Sequence, residues 1–234
     1  TILSTSGYGD ALIFPYYDVR VIGNPQDNYF AIINQVVTTT TYGGVAAKLR
    51  FREADKSIEV YDIDIWLSCD DVWVGLIRQD TTAGLAYLWS PDYVVVGATD
   101  TQLSVTQANN VVDPVTGALI GRPFLPSRNG LDNARSLVGY FEVIGEERTA
   151  CKATLLKDAA ITTVDRFPID TSALLLDVPN QLTGYFYLVN VINGVAFGYD
   201  ATAIANFSRT RGSLFNGPGA LKPDLSDCED TLDQ

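Results

Sequence analysis

The amino-acid sequence predicts an all-β, mainly antiparallel protein. The expected form is a β-sandwich of immunoglobulin-like or jelly-roll type, with a long loop insertion and one or two short helices. Three observations carry this expectation. Strand formers are plentiful, with 12 Tyr and 10 Phe among 234 residues, and 19 Gly and 10 Pro cut the chain into short runs. Val45, Ala47, Leu49 and Phe51 alternate with Ala46, Lys48, Arg50 and Arg52, the period of two that marks a half-buried strand. Asn193-Gly194 lies between two apolar runs, a strong short-range hairpin signal.

The elements follow in chain order. Residues 1–9 are small and polar and read as an extended arm. Ala11, Leu12, Ile13, Phe14, Pro15, Tyr16 and Tyr17 form a strand, and Pro15, which has no N–H to give a ladder, calls for an edge position or a bulge. Residues 28–37 are a long apolar strand, and four threonines with Gly43-Gly44 turn the chain into the alternating strand at 45–52. Residues 57–67 put Tyr61, Ile63, Ile65 and Leu67 on one face and Asp62 and Asp64 on the other. Residues 71–78 return. Four strands joined by short turns predict one antiparallel sheet.

Shorter strands are expected at 85–89 and 92–96. Turn signals from Asp113-Pro114 to Asn129-Gly130 predict a surface insertion at about 107–130. Residues 138–144 return to strand and 150–162 suit a short helix. Residues 182–190 and 195–199 form the hairpin, and 201–207 suit one or two helical turns. The division is an arm (1–9), one sandwich domain (10–222) and an acidic tail (223–234) that holds five acids, Asp224, Asp227, Glu229, Asp230 and Asp233, and no base.

The formal charge of −12 repels phosphate backbones and anionic membranes, so no nucleic-acid partner is expected. No apolar run approaches the ~20 residues of a membrane helix. The chain lacks methionine and begins at Thr1, which fits an exported chain whose signal peptide has been removed. The expected location is secreted, at the cell surface. Cys69, Cys151 and Cys228 allow three intrachain pairings and leave one thiol over.

Histidine is absent, which removes the usual general base and the commonest zinc ligand. Nucleophile-elbow, P-loop and dinucleotide-binding patterns are missing, and no enzyme is expected. Asp62 and Asp64 could serve a two-carboxylate hydrolase with Asp70 or Asp71, but a solvated face opposite Lys48, Arg50 and Arg52 accounts for them better. No cofactor is expected; calcium on the acidic tail is the weak alternative, since the spacing is not that of an EF-hand. Asn206-Phe207-Ser208 is a glycosylation sequon. Trp66, Trp73, Trp89, Tyr16 and Tyr17 could make a glycan platform, though core packing is their commoner use.

Several stretches resemble a poorly characterised family of proteobacterial cell-surface proteins. These are Gly9 to Val19 (GDALIFPYYDV), Ala47 to Ala54 (AKLRFREA), Ser57 to Val60, Leu67-Ser68 with Asp71-Val72-Trp73, and Val189 to Gly194 with Gly198 to Phe207. They touch roughly a third of the chain. The resemblance implies secretion and a surface location, and brings no catalytic residues. Cys69 stands where that pattern often has proline.

The function expected is a structural subunit that polymerises with copies of itself into a filament, pilus-like fibre or surface layer. Strand addition by the N-terminal arm, including Ala11, Leu12, Ile13, Phe14, Tyr16 and Tyr17, would join the copies. Lys48, Arg50 and Arg52 would meet an acidic neighbour. The alternative is a monomeric adhesin or carbohydrate-binding module with surface glycans as partners.

Overall fold

The structure, a computed structural model, describes residues 2–20, 26–35, 42–99, 102–107, 121–151, 165–168, 180–190 and 192–207. The helix expected at 150–162, the acidic tail and Cys228 lie outside these residues, except for Ala150 and Cys151.

Two antiparallel sheets pack face to face as a β-sandwich. Among the described residues the larger has nine strands, in the order β1 (Ile2–Leu3), β15 (Thr202–Ala205), β2 (Ala11–Asp18), β11 (Val138–Ala150), β4 (Tyr42–Glu53), β5 (Glu59–Leu67), β8 (Tyr93–Thr99), β9 (Gln102–Gln107) and β12 (Asp165–Pro168). The smaller has six among the described residues, in the order β10 (Arg122–Pro123), β7 (Leu85–Trp89), β6 (Asp71–Asp80), β3 (Gln26–Asn34), β13 (Leu182–Asn190) and β14 (Val195–Asp200).

The inner faces meet in an aromatic core. Phe14 stacks on Phe141 within the larger sheet at 4.3 Å, and Phe30 of the smaller sheet reaches across to Phe141 at 4.7 Å. Leu49, Phe51, Ile32, Trp73 and Phe186 are buried around them. Gly75 is required here: a Cβ at this position would sit 2.3 Å from the Phe30 ring.

The four strands expected to form one sheet are divided between two. β4 and β5 pair in the larger sheet, while β3 and β6 pair in the smaller. The link from β5 to β6 is a corner, not a hairpin. Asp70 takes a left-handed φ of 52°, and Asp71 Oδ2 accepts from Ser68 N and Oγ. Buried Asn34 donates to the carbonyls of Gly43 and Ser68, and Gln181 donates to Asn34 Oδ1 and to Gly43 O. These two amides satisfy backbone groups where strands change sheets. Alternation reports a strand's faces, not its partner, so this corner was not visible.

Other expectations are corrected too. Residues 202–205 form β15, not helical turns: Ala203 and Ala205 turn inward, and the backbone pairs with β2. Residues 108–120 of the expected 107–130 insertion lie outside the described residues, and the described remainder is not all surface. Phe124 lies buried against Phe51 and Tyr61, and Leu125 N donates to Val60 O. The helical elements among the described residues are two 3-10 turns, Pro126–Asn129 and Asn133–Leu137. Pro15 takes the bulge option: the register passes from Gly139↔Tyr17 to Phe141↔Phe14, so Pro15 and Tyr16 together oppose Tyr140.

Candidate functional site

The predicted assembly residues separate into three groups. Ala11, Leu12, Phe14 and Tyr17 are core residues of β2, which is flanked by β15 and β11. Ile13 is partly buried in the same strand, and only Tyr16 is well exposed. Ala11 to Ile13 are laddered on both sides, and Phe14 and Tyr17 are held by β11 on one side and by the core, so residues 11–17 are not an available donor. The arm before them is. Ile2 and Leu3 pair with Ala205 and Ile204, remain 62% and 69% exposed, and form one edge of the larger sheet.

Lys48, Arg50 and Arg52 do not form an exposed basic face. Their register against Asp64, Asp62 and Glu59 is the cross-strand pairing that their spacing suggests. The surroundings differ from the expected solvated face, because Lys48, Arg50, Glu59, Asp62 and Asp64 are all buried. Lys48 Nζ lies 2.7 Å from Asp64 Oδ1 and donates to Asp62 Oδ2 at 3.2 Å. Arg50 Nε donates to Glu59 Oε2 at 2.5 Å. Arg52, less deeply placed, lies 3.5 Å from Glu142.

Burial pushes the Glu59 carboxyl up to about 7 against the pull of Arg50. Burial likewise raises Asp62 and Asp64 against the pull of Lys48. Burial alone would lower Lys48, but the fields of Asp64, Glu146 and Asp62 hold its ammonium above the ordinary value. Neighbouring Glu53 goes the other way. Despite its burial, donors from Arg135 and from the amides of Asp55, Lys56 and Ile58 hold it below the usual carboxylate range.

The hydrolase candidates are therefore occupied elsewhere. Asp62 and Asp64 face a lysine, Asp71 holds the corner, and Asp70 is exposed on the turn. A hollow of about 180 Å³ beside Asp27, Arg78 and Tyr87 includes none of the four. Among the described residues no cluster of acids or cysteines is arranged to hold a metal ion. Trp66, Trp73 and Tyr17 are buried, which removes them from any glycan platform.

Cys69 and Cys151 form a disulfide with Cα atoms 5.1 Å apart, tying the β5–β6 corner to the end of β11. Asn206 sits at a left-handed φ of 55° and exchanges hydrogen bonds with Asn180.

The surface that sequence reasoning missed is the β13–β14 end of the smaller sheet. Among the described residues β14 is paired on one side only, by β13. Phe197 lies opposite Leu188 and continues the inner face outward, yet Phe197 is 63% and Val195 59% exposed. On the outer face Tyr29 and Tyr187 are cross-strand neighbours, with Tyr185, Val72 and Val74 also exposed. The signal was the run Tyr185-Phe186-Tyr187-Leu188-Val189, apolar on both faces. Such a run belongs to a strand covered on both sides, and here one side is open.

Fold and site together define an antiparallel sandwich with a closed charged face and an open apolar edge. Comparison with known protein families, curated proteins and solved structures finds no match for the chain.

Proposed function

We propose that the chain is an exported structural subunit that joins copies of itself into an extracellular filament, pilus-like fibre or surface layer. The observation that carries this reading is β14: among the described residues, an edge strand paired on one side only, with exposed Val195 and Phe197. Such an edge is costly to leave open, because it offers unpaired N–H and C=O groups beside apolar side chains. Strand addition satisfies both at once, with main-chain hydrogen bonds for affinity and side-chain contacts for register.

The donor is the segment at residues 2–8. Its pairing with β15 in its own subunit spans only two residues of strand, extended by Ser4 N to Ala203 O. Moving this arm to the β14 edge of the next copy makes a head-to-tail contact, which propagates when rotation does not close a ring. A glycan-binding reading has less support. Exposed Tyr185 and Tyr187 stand at 64° to one another rather than offering one flat platform.

Electron microscopy and size-exclusion chromatography of purified protein test the proposal. Polymers are expected from the intact chain. Deleting residues 1–9, or changing Phe197→Asp, is expected to give monomers. Assembly unchanged by the deletion excludes the arm as donor, and assembly unchanged by Phe197→Asp excludes β14 as acceptor.

A further inference from the structure

We infer that Lys48 and Asp64 condense into an intramolecular isopeptide bond that covalently links β4 to β5. The inference is independent of the assembly reading. It rests on three features of the charged face.

The first is placement. Lys48 and Asp64 are directly opposed in the antiparallel register, and both side chains are 0% exposed. Nζ lies 2.7 Å from Oδ1. Lys48 is the cation that faces Asp64, and neither Asp64 oxygen takes a further hydrogen bond from another donor among the described residues. Groups held at near-attack distance and alignment react as if at an effective concentration of about 10⁵–10⁸ M.

The second is a proton relay. Asp62 Oδ2 accepts a hydrogen bond from the same Nζ at 3.2 Å. Asp62 projects from the same face of β5 as Asp64, two residues away. Burial raises its carboxyl against the pull of Lys48, so it can hold a proton and return it.

The third is the drive. A buried ion pair must offset the desolvation of two charges, and its net contribution to stability is often poor. Condensation replaces an ammonium and a carboxylate with one neutral amide. It also expels water from a site that excludes it.

The step balances within the protein. The Lys48 ammonium gives a proton to Asp62. The freed Nζ lone pair adds to Cγ of Asp64, and the carbonyl π pair moves onto oxygen. Asp62 carries protons from nitrogen to the departing oxygen. The Cγ–O bond breaks and one water leaves, taking two of the three ammonium protons; the third stays on the amide nitrogen. No oxidant, metal or co-reactant is consumed.

The experiment is intact mass spectrometry of the whole chain, denatured and reduced so that the Cys69–Cys151 bridge does not contribute. The expected mass is that of the sequence less one water. Proteolysis is expected to give a branched peptide joining the Lys48 segment to the Asp64 segment. Lys48→Arg is expected to restore the full sequence mass. Asp64→Asn is expected to lose ammonia in place of water. Asp62→Asn, checked for folding by tryptophan fluorescence, is expected to leave much of the chain uncondensed. A wild-type mass equal to the sequence overturns the inference, without reference to any variant. So does a water loss that maps to other residues or persists in Lys48→Arg.

Discussion

The two sheets of this sandwich place polarity opposite to habit. On the larger sheet, Lys48, Arg50, Glu59, Asp62 and Asp64 are buried. On the smaller sheet, Phe197, Val195, Tyr187 and Tyr29 are exposed. Charged residues are rarely buried unless paired, and large exposed apolar patches generally mark interfaces. The charged face is paired within the sheet: Lys48 serves both Asp62 and Asp64, and Arg50 serves Glu59. The apolar edge is incomplete because nothing among the described residues covers it. On the proposed reading the difference separates a surface that serves folding from one that serves association, and mutations should separate the two experimentally.

The largest expected effect is on the charged face. Arg50→Met leaves Glu59 buried without its partner, and breaking such a pair costs about 3–5 kcal/mol. The double change Arg50→Met with Glu59→Leu should recover most of that loss, since an apolar pair of similar volume is close to neutral. Urea unfolding of the two singles and the double reads the coupling. Next is the disulfide that holds the β5–β6 corner to β11. Cys69→Ser with Cys151→Ser should cost about 2–4 kcal/mol in the same unfolding experiment, with assembly judged separately.

The pH dependence is smaller and has a definite sign. Glu59 binds its proton near pH 7 when folded, against an ordinary value of 4.5. The folded state therefore holds more protons in that interval, and this group's contribution to stability is lost as pH rises from about 4.5 through about 7. Glu53, held below its ordinary value by Arg135 and three backbone amides, contributes oppositely: its stabilisation is present above the unfolded value and lost as pH falls. Glu59→Gln should flatten the loss on the neutral side while leaving the acid limb of the profile intact. Thermal melts across this range check it. Smallest is Phe197→Asp, which should change stability by less than about 0.5 kcal/mol, as at an exposed site, while removing assembly. A large loss of stability there would place Phe197 in the fold rather than at an interface.

Much of the fold was legible in local pattern. The strand at residues 85–89 appears with those bounds, and the Asn193-Gly194 hairpin joins β13 to β14 as expected. Period-two alternation also put Lys48 and Arg50 opposite Asp64 and Asp62. Neither signal reveals what covers a face, so a polar stripe that is buried looks the same in sequence as one that is solvated. Sheet assignment was illegible for a related reason. The Asn34 and Gln181 amides that fasten the corners act across 147 positions of chain, beyond the reach of any turn motif. β1 and β15 were missed because two to four residues are too few to show a period.

The strand order also fixes how the molecule bears load. β1 lies antiparallel on β15, with Ile2 opposite Ala205, and β15 lies antiparallel on β2, with Ile204 opposite Ala11. Tension drawn between residue 2 and residue 205 therefore meets the hydrogen bonds one at a time, as a zipper does, and peels the first strand before it strains the next. Tension entering through the β14 edge acts instead along β13, which is laddered to β3 over nine residue pairs, so many bonds share it in shear. In a polymer joined at that edge, the pulling direction would decide whether a subunit yields early or holds.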